Sequence, residues 1–214
     1  MRAAGILVLC LFSSILSTVT SLKCQTCFSP VNDCEGDNVK VEECKEDEEF
    51  CYTQVYNTTI TNGSMSLIMK ECSKRELCYE GFFSTTIIEG RFEIARGNCC
   101  QTDLCNAEPL PKLEKYEEFQ PNGLLCPGCF AQDEDSCEAN QSVPCVGQED
   151  QCVNLSFIIE SYDHSTEKLT YQGCTTKNSC SFPLGAFEIA SGLIQFNVTT
   201  LECRNAASSE PDHQ

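Results

Sequence analysis

The stretch "GNCCQTDLCN" (97–106) sets two cysteines side by side, places a third five positions after Cys100, and ends on Asn106. A bridge between neighbouring cysteines closes a strained ring, so Cys99 and Cys100 must each reach a different partner. The far end of the chain approaches the same pattern in "TLECRNAASS" (200–209) but stops at the single Cys203.

Outward from that motif, the cysteines fall into two series. The first runs Cys24, Cys27, Cys34, Cys44, Cys51, Cys72, Cys78, Cys99, Cys100, Cys105. The second runs Cys126, Cys129, Cys137, Cys145, Cys152, Cys174, Cys180, Cys203. The intervening residues number 2, 6, 9, 6, 20, 5 and 20 in the first series and 2, 7, 7, 6, 21, 5 and 22 in the second. That agreement marks an internal duplication. It divides the chain into residues 22–106 and 126–203, joined by "AEPLPKLEKYEEFQPNGLL" (107–125), with a polar tail at 204–214. Pro109, Pro111 and Pro121 among Glu and Lys predict a semi-stiff joint.

The first 21 residues read as a secretory signal. Arg2 opens it, an apolar run from Ala3 to Phe12 follows, and small residues precede a cut after Ser21. Its removal takes Cys10 away, so nineteen cysteines become eighteen, an even number suited to nine bridges in an oxidising compartment. Cysteine is then about one residue in eleven, the density of a disulfide scaffold. No later segment is apolar enough to span a bilayer, and the polar ending "SSEPDHQ" lacks the tail of a lipid-anchor signal. A secreted, extracellular chain is expected.

The long gaps between cysteines read as hairpins. In "CYTQVYNTTITNGSMSLIMKEC" (51–72) two strand-like runs flank Asn62-Gly63, a strong tight-turn signal. The counterpart "CVNLSFIIESYDHSTEKLTYQGC" (152–174) has β-branched and aromatic arms around a polar tip at 161–166. No segment carries helical periodicity. The fold class is therefore all-β and disulfide-rich, with β-loops projecting from cysteine knots.

Cys24-x2-Cys27, the long gaps and "CCQTDLCN" resemble the three-finger domain of the Ly-6/urokinase-receptor superfamily. The resemblance implies two tandem three-finger domains with the pairing Cys24–Cys51, Cys27–Cys34, Cys44–Cys72, Cys78–Cys99 and Cys100–Cys105 in the first. In the second it implies Cys126–Cys152, Cys129–Cys137, Cys145–Cys174 and Cys180–Cys203. It also gives Asn106 the role of bracing the core through its side-chain amide. The second half lacks that terminal bridge and Asn, so its C-terminal edge is expected to be looser. Among two-domain members the chain is similar to the gamma-type phospholipase A2 inhibitors, through "CQTC" (24–27), "PNGLLCPGC" (121–129) and the lone cysteine after "LEC" (201–203). That resemblance implies a secreted, non-enzymatic protein, often oligomeric, whose partner is a secreted phospholipase A2. It links an apolar, proline-rich strip at the domain joint to enzyme contact: Pro109, Leu110, Pro111, Leu113, Tyr116, Phe119 and Pro121. The plainer reading of the strip is a linker whose apolar residues pack between the domains. The two-domain pattern also resembles sodefrin-type courtship pheromone precursors and receptor-like binders.

Composition narrows the chemistry. The formal charge of −18 argues against nucleic acid and anionic membranes and for a basic partner. The run "EECKEDEEF" (42–50) lacks the ligand alternation of a calcium loop and reads as a solvated acidic face. Cys24-x2-Cys27 and Cys126-x2-Cys129 have zinc-ligand spacing, but in an exported chain disulfides account for them, and no metal or cofactor is expected. The two histidines, His164 and His213, lie in a loop tip and the tail, and no free thiol remains for a Cys/His pair. Catalysis is not expected. Five sequons, at Asn57, Asn62, Asn140, Asn154 and Asn197, are candidate glycosylation sites.

Overall fold

Strands alternate their side chains between two faces, and that single rule sends Cys99 and Cys100 apart. Both end β6 (Phe92–Cys100) of the computed structural model, which describes residues 21–30, 34–61, 63–108, 112–161 and 164–208. Cys99 joins Cys78 and Cys100 joins Cys105. Residues 1–20 of the expected signal segment 1–21, Asn62, Pro109, Leu110, Pro111 and the tail from 209 lie outside the described residues.

Three antiparallel hairpins make up each half. In the first they are β1 (Lys23–Ser29) with β2 (Lys40–Glu43), β3 (Phe50–Thr58) with β4 (Met65–Ser73), and β5 (Gly81–Thr86) with β6. In the second they are β7 (Pro121–Gln132) with β8 (Gln141–Val146), β9 (Gln151–Ser161) with β10 (Thr166–Thr175), and β11 (Gly185–Ile189) with β12 (Ile194–Asn205). β6 also pairs with β3 and β4 with β1; β12 pairs with β9 and β10 with β7. The described helical segments are short 3-10 turns. β7 starts at Pro121, so the last five residues of the expected joint are already strand. A bulge between Pro121 and Leu125 absorbs the irregular register.

Seven further bridges staple the fingers at their bases: Cys24–Cys51, Cys27–Cys34, Cys44–Cys72, Cys126–Cys152, Cys129–Cys137, Cys145–Cys174 and Cys180–Cys203. The sulfurs form buried knots around Cys24, Cys44 and Cys51 in one half and around Cys126, Cys145, Cys152 and Cys174 in the other. A bridge closing a loop of about 20 residues contributes roughly 3 kcal/mol by restricting the unfolded chain.

Asn106 is buried, and its amide takes the place of a missing strand neighbour. Oδ1 accepts from Gln25 N at 2.9 Å and Nδ2 donates to Gln25 O at 2.8 Å. In Asn106→Ala both backbone groups lose their partner, at about 1–3 kcal/mol each where water cannot reach them. A drop of about 2 kcal/mol or more in denaturant unfolding is expected, and Asn106→Asp should recover less than half of it because Asp cannot donate to Gln25 O.

The second half has no such asparagine, and up to Ser208 its end is held by backbone pairing. β12 continues its pairing to Asn205 opposite Gln151, Ala206 N donates to Asp150 O at 2.9 Å, and β13 (Ala207–Ser208) pairs with β7. Backbone ladder replaces side-chain brace and terminal bridge.

The two halves share one sheet and one core. β5 pairs with β10 through Thr86 opposite Cys174 and Thr85 opposite Thr175, which joins the domains edge to edge. On β9, Val153, Leu155, Phe157 and Ile159 fall on one face, and Leu169 and Tyr171 of β10 and Val198 of β12 extend it. Ile60 and Ile87 of the first domain are 3% and 2% exposed against that face. Each contributes roughly 1.5–3 kcal/mol by leaving water.

Candidate functional site

The joint between the domains concentrates the unusual chemistry, and its outer layer is the chain from Leu113 to Phe119. That strap lies along the third finger of the first domain. Arg96 of β6 donates twice to Glu114, at 2.8 and 2.9 Å, and its guanidinium sits 5.4 Å from the Phe82 ring centroid. The Arg96 partner holds the Glu114 carboxyl below the ordinary carboxylate range. Tyr116 stacks on Phe92 with centroids 4.0 Å apart, and Phe119 lies 5.5 Å from Phe82. Of the strip residues, Tyr116 and Phe119 are half-buried against the first domain, Leu113 is half-buried, and Pro121 is exposed at the start of β7.

Beneath the strap sits Glu149, fully buried in the turn between β8 and β9. Ser84 Oγ and Thr86 Oγ1 of β5 both donate to its Oε1 at 2.9 Å, and Val146 N donates to Oε2 at 3.0 Å. Since Thr86 gives its proton to Glu149, it accepts from the Tyr116 hydroxyl at 2.9 Å. The strap, the first domain and the second domain thus meet on one carboxyl group. Loss of hydration pushes that group up to about 7.

A reciprocal arrangement lies farther along the junction. Glu71 of β4 is 6% exposed and accepts from Ser191 N of the second domain at 3.0 Å. Burial pushes it too up to about 7, with the Ser191 and Ala190 amides pulling the other way. Around it Tyr52, Met69 and Ala190 close a small apolar cluster. A third carboxylate, Glu93, accepts from Tyr56 and from Tyr171 across the boundary, each at 2.9 Å. Burial, reinforced by the adjacent Glu93, drives both phenols well above their ordinary range.

None of these three carboxylates stood out in the sequence. In so acidic a chain, "GQEDQC" (147–152) and "MKECSK" (69–74) look like ordinary surface turns and edges. The run 42–50 does lie at the surface, and part of its charge is met locally: Lys74 pairs with Asp47, Arg75 with Glu49, Lys45 with Glu48 and Lys23 with Glu43. His164 is an exposed tip residue near Glu160. Among the sequons, Asn140 and Asn197 are exposed, Asn57 and Asn154 half-buried. Every cysteine of the two zinc-spaced pairs is committed to a disulfide.

Two stapled sets of three β-fingers, interlocked through a shared core, define a tandem three-finger protein. Residues 22–106 match the family model for snake toxin and toxin-like proteins, and residues 122–211 match that for the u-PAR/Ly-6 domain. "Phospholipase A2 inhibitor NAI" of Notechis ater is 30% identical over 177 residues, 83% of this chain and 85% of that one. A phospholipase A2 inhibitor of the gamma type from Gloydius brevicaudus siniticus is 29% identical over 174 residues, 80% and 82% of the two chains. Mouse TEX101 superposes with a TM-score of 0.33 at 20% identity, over 86% of this chain and 98% of that one. The chain belongs to the tandem u-PAR/Ly-6 family that contains the gamma-type phospholipase A2 inhibitors.

Proposed function

We propose that this protein is exported and inhibits secreted phospholipases A2 by direct protein–protein contact, without catalysis of its own. The observation that carries the reading is 30% identity, over most of both chains, to a protein named for that inhibition. The charge of −18 supports a basic target, because opposite potentials speed encounter and select partners. No helix among the described residues is long and apolar enough to cross a membrane.

The contact is assigned to the strip from Pro109 to Pro121. Tyr116 and Phe119 are clamped by stacking and by the Thr86 hydrogen bond, so a partner would meet a preorganised segment at 116–119, which lowers the ordering cost of binding. The test is inhibition of a panel of basic and acidic secreted phospholipases A2 by the purified, oxidised protein. Basic enzymes should be inhibited more strongly, and association should slow as salt rises and screens the field. Replacing Pro109, Leu110, Pro111 and Pro121 with serine leaves the Tyr116 and Phe119 anchors in place and should weaken inhibition about tenfold or more, the loss expected from removing part of an apolar contact. Full inhibition by that variant would remove the strip from the interface. Absence of inhibition across the panel would remove the function.

A further inference from the structure

The sheet of the second domain has two very different faces. One packs on the first domain; the other faces away from it, is covered by the β7–β8 loop over Ser156 and Thr170, and carries Asn154 beyond that cover in β9. Its cross-strand neighbours are Gln172 on β10 and Glu202 on β12. With Pro127 of β7 and Arg204 of β12 they enclose a trough of about 380 Å³, a volume within the range of ligand clefts. A second, shallower trough shares Pro127 and holds Asn140. Asn197 stands opposite Ile158, four residues along β9 from Asn154, and so on the same face. Three of the five sequons thus bracket one surface.

The trough has the chemistry of a sugar seat. Gln172 offers its amide oxygen, its Nε2 already donating to Cys137 O at 3.3 Å; Glu202 offers a carboxylate and Arg204 a donor fork, which match the hydroxyls and acetamido group of N-acetylglucosamine. Pro127 supplies an apolar shelf for the ring. The Asn154 amide makes one long hydrogen bond, Nδ2 to Glu202 Oε2 at 3.4 Å, which glycosylation can release at little cost. The other sequons differ. Asn197 is exposed and lines neither trough. Asn57 Oδ1 is sealed from solvent with no hydrogen-bond partner among the described residues.

We propose that the trough around Asn154 is a built seat for the first N-acetylglucosamine of an N-linked glycan, which makes the outward face of the second domain glycan-bearing rather than partner-binding. The proposal rests on passage through the secretory pathway and not on the identity of any target.

The chain is produced in a secreting eukaryotic host, and site occupancy is read by glycopeptide mass spectrometry. The native protein is then digested over time with an endoglycosidase that cuts between the two core sugars. Asn154 should be occupied and cut about tenfold more slowly than Asn197, the factor that one or two net hydrogen bonds supply. In reduced, denatured protein the two rates should coincide. Gln172→Ala with Arg204→Ala should raise the native Asn154 rate to that of Asn197, and Gln172→Ala alone should move it part of the way if the double variant fails to be secreted. Equal native rates at the two sites would overturn the proposal. So would an unmodified Asn154 in the native chain, or variants that leave the Asn154 rate unchanged.

Discussion

Gly173→Ala should separate the two domains while leaving every disulfide in place. A Cβ on residue 173 would lie 2.2 Å from Thr86 O and 3.2 Å from Ile87 Cα. Both contacts are backbone, so no side chain can swing aside. Gly173 sits immediately before the two residues that join β10 to β5. Forcing the strands apart would also strain the bonds beside it: Thr175 Oγ1 to Ser84 O at 3.0 Å, Thr176 N to Ser84 O at 3.0 Å, and Ser84 N to Thr176 Oγ1 at 3.2 Å. Overpacking a tight site costs about 1–3 kcal/mol, and the loosened hydrogen bonds add about 1 kcal/mol apiece, so a loss of about 3 kcal/mol or more is expected. Because each half keeps its own staples, the loss should appear as a change of form: one cooperative denaturant transition becomes two. Exposure of the Val153–Ile159 face should bring dye binding before the second transition. A single transition of undiminished midpoint would show that the halves are not coupled through this contact.

The repeated cysteine spacing made the duplication legible, and Asn62-Gly63 and the β-branched runs marked the hairpins, because those features are local. The junction is encoded otherwise. A glycine at 173, threonines at 85, 86 and 175 and a glutamate at 149 carry no periodic signal; they matter only once two strands more than 80 residues apart are adjacent. The aromatic and β-branched arms of 152–174 announced strands, but that Val153, Leu155, Phe157 and Ile159 share a face covered by Ile60 and Ile87 depends on how the domains dock. The strip was legible as apolar and proline-rich. That Tyr116 and Phe119 would be held on the first domain followed from the partners Phe92, Phe82 and Thr86, none of which the strip itself reveals. The backbone pairing of the second domain's C-terminal edge was not legible, because only side-chain and disulfide braces were visible in the residues. A backbone pairing such as Ala207 with Leu125 leaves no residue-type signature.

The same junction should make the protein more stable as the solution is acidified from neutral toward pH 5, against the usual trend for carboxylates in ion pairs. Glu71 and Glu149 are pushed up to about 7 from an ordinary 4.5, chiefly by burial. The groups around them supply no compensating cation: Glu71 faces Tyr52, Glu48 and the Ser191 and Ala190 amides, while Glu149 faces Tyr116, Thr86, Ser84 and the Val146 amide. Between pH 4.5 and 7 the folded state therefore holds protons that the unfolded chain has released. The contribution of these two groups is largest below about 4.5 and is lost as pH rises through 7, with a limit of about 3 kcal/mol for each at about 1.4 kcal/mol per tenfold change in proton affinity. Glu71→Gln with Glu149→Gln should abolish most of this slope and be the more stable form at pH 8. At pH 5 the two forms should be about equally stable, because the glutamine oxygen can accept from Val146 N while its nitrogen donates to the Ser84 and Thr86 hydroxyls. Urea unfolding measured at half-unit steps from pH 5 to 8 reads the slope directly. A native chain whose stability rises across that interval, or a double variant with an unchanged slope, would mean that these carboxylates are not held neutral at the domain boundary and that repulsion among the surface acids sets the pH response instead.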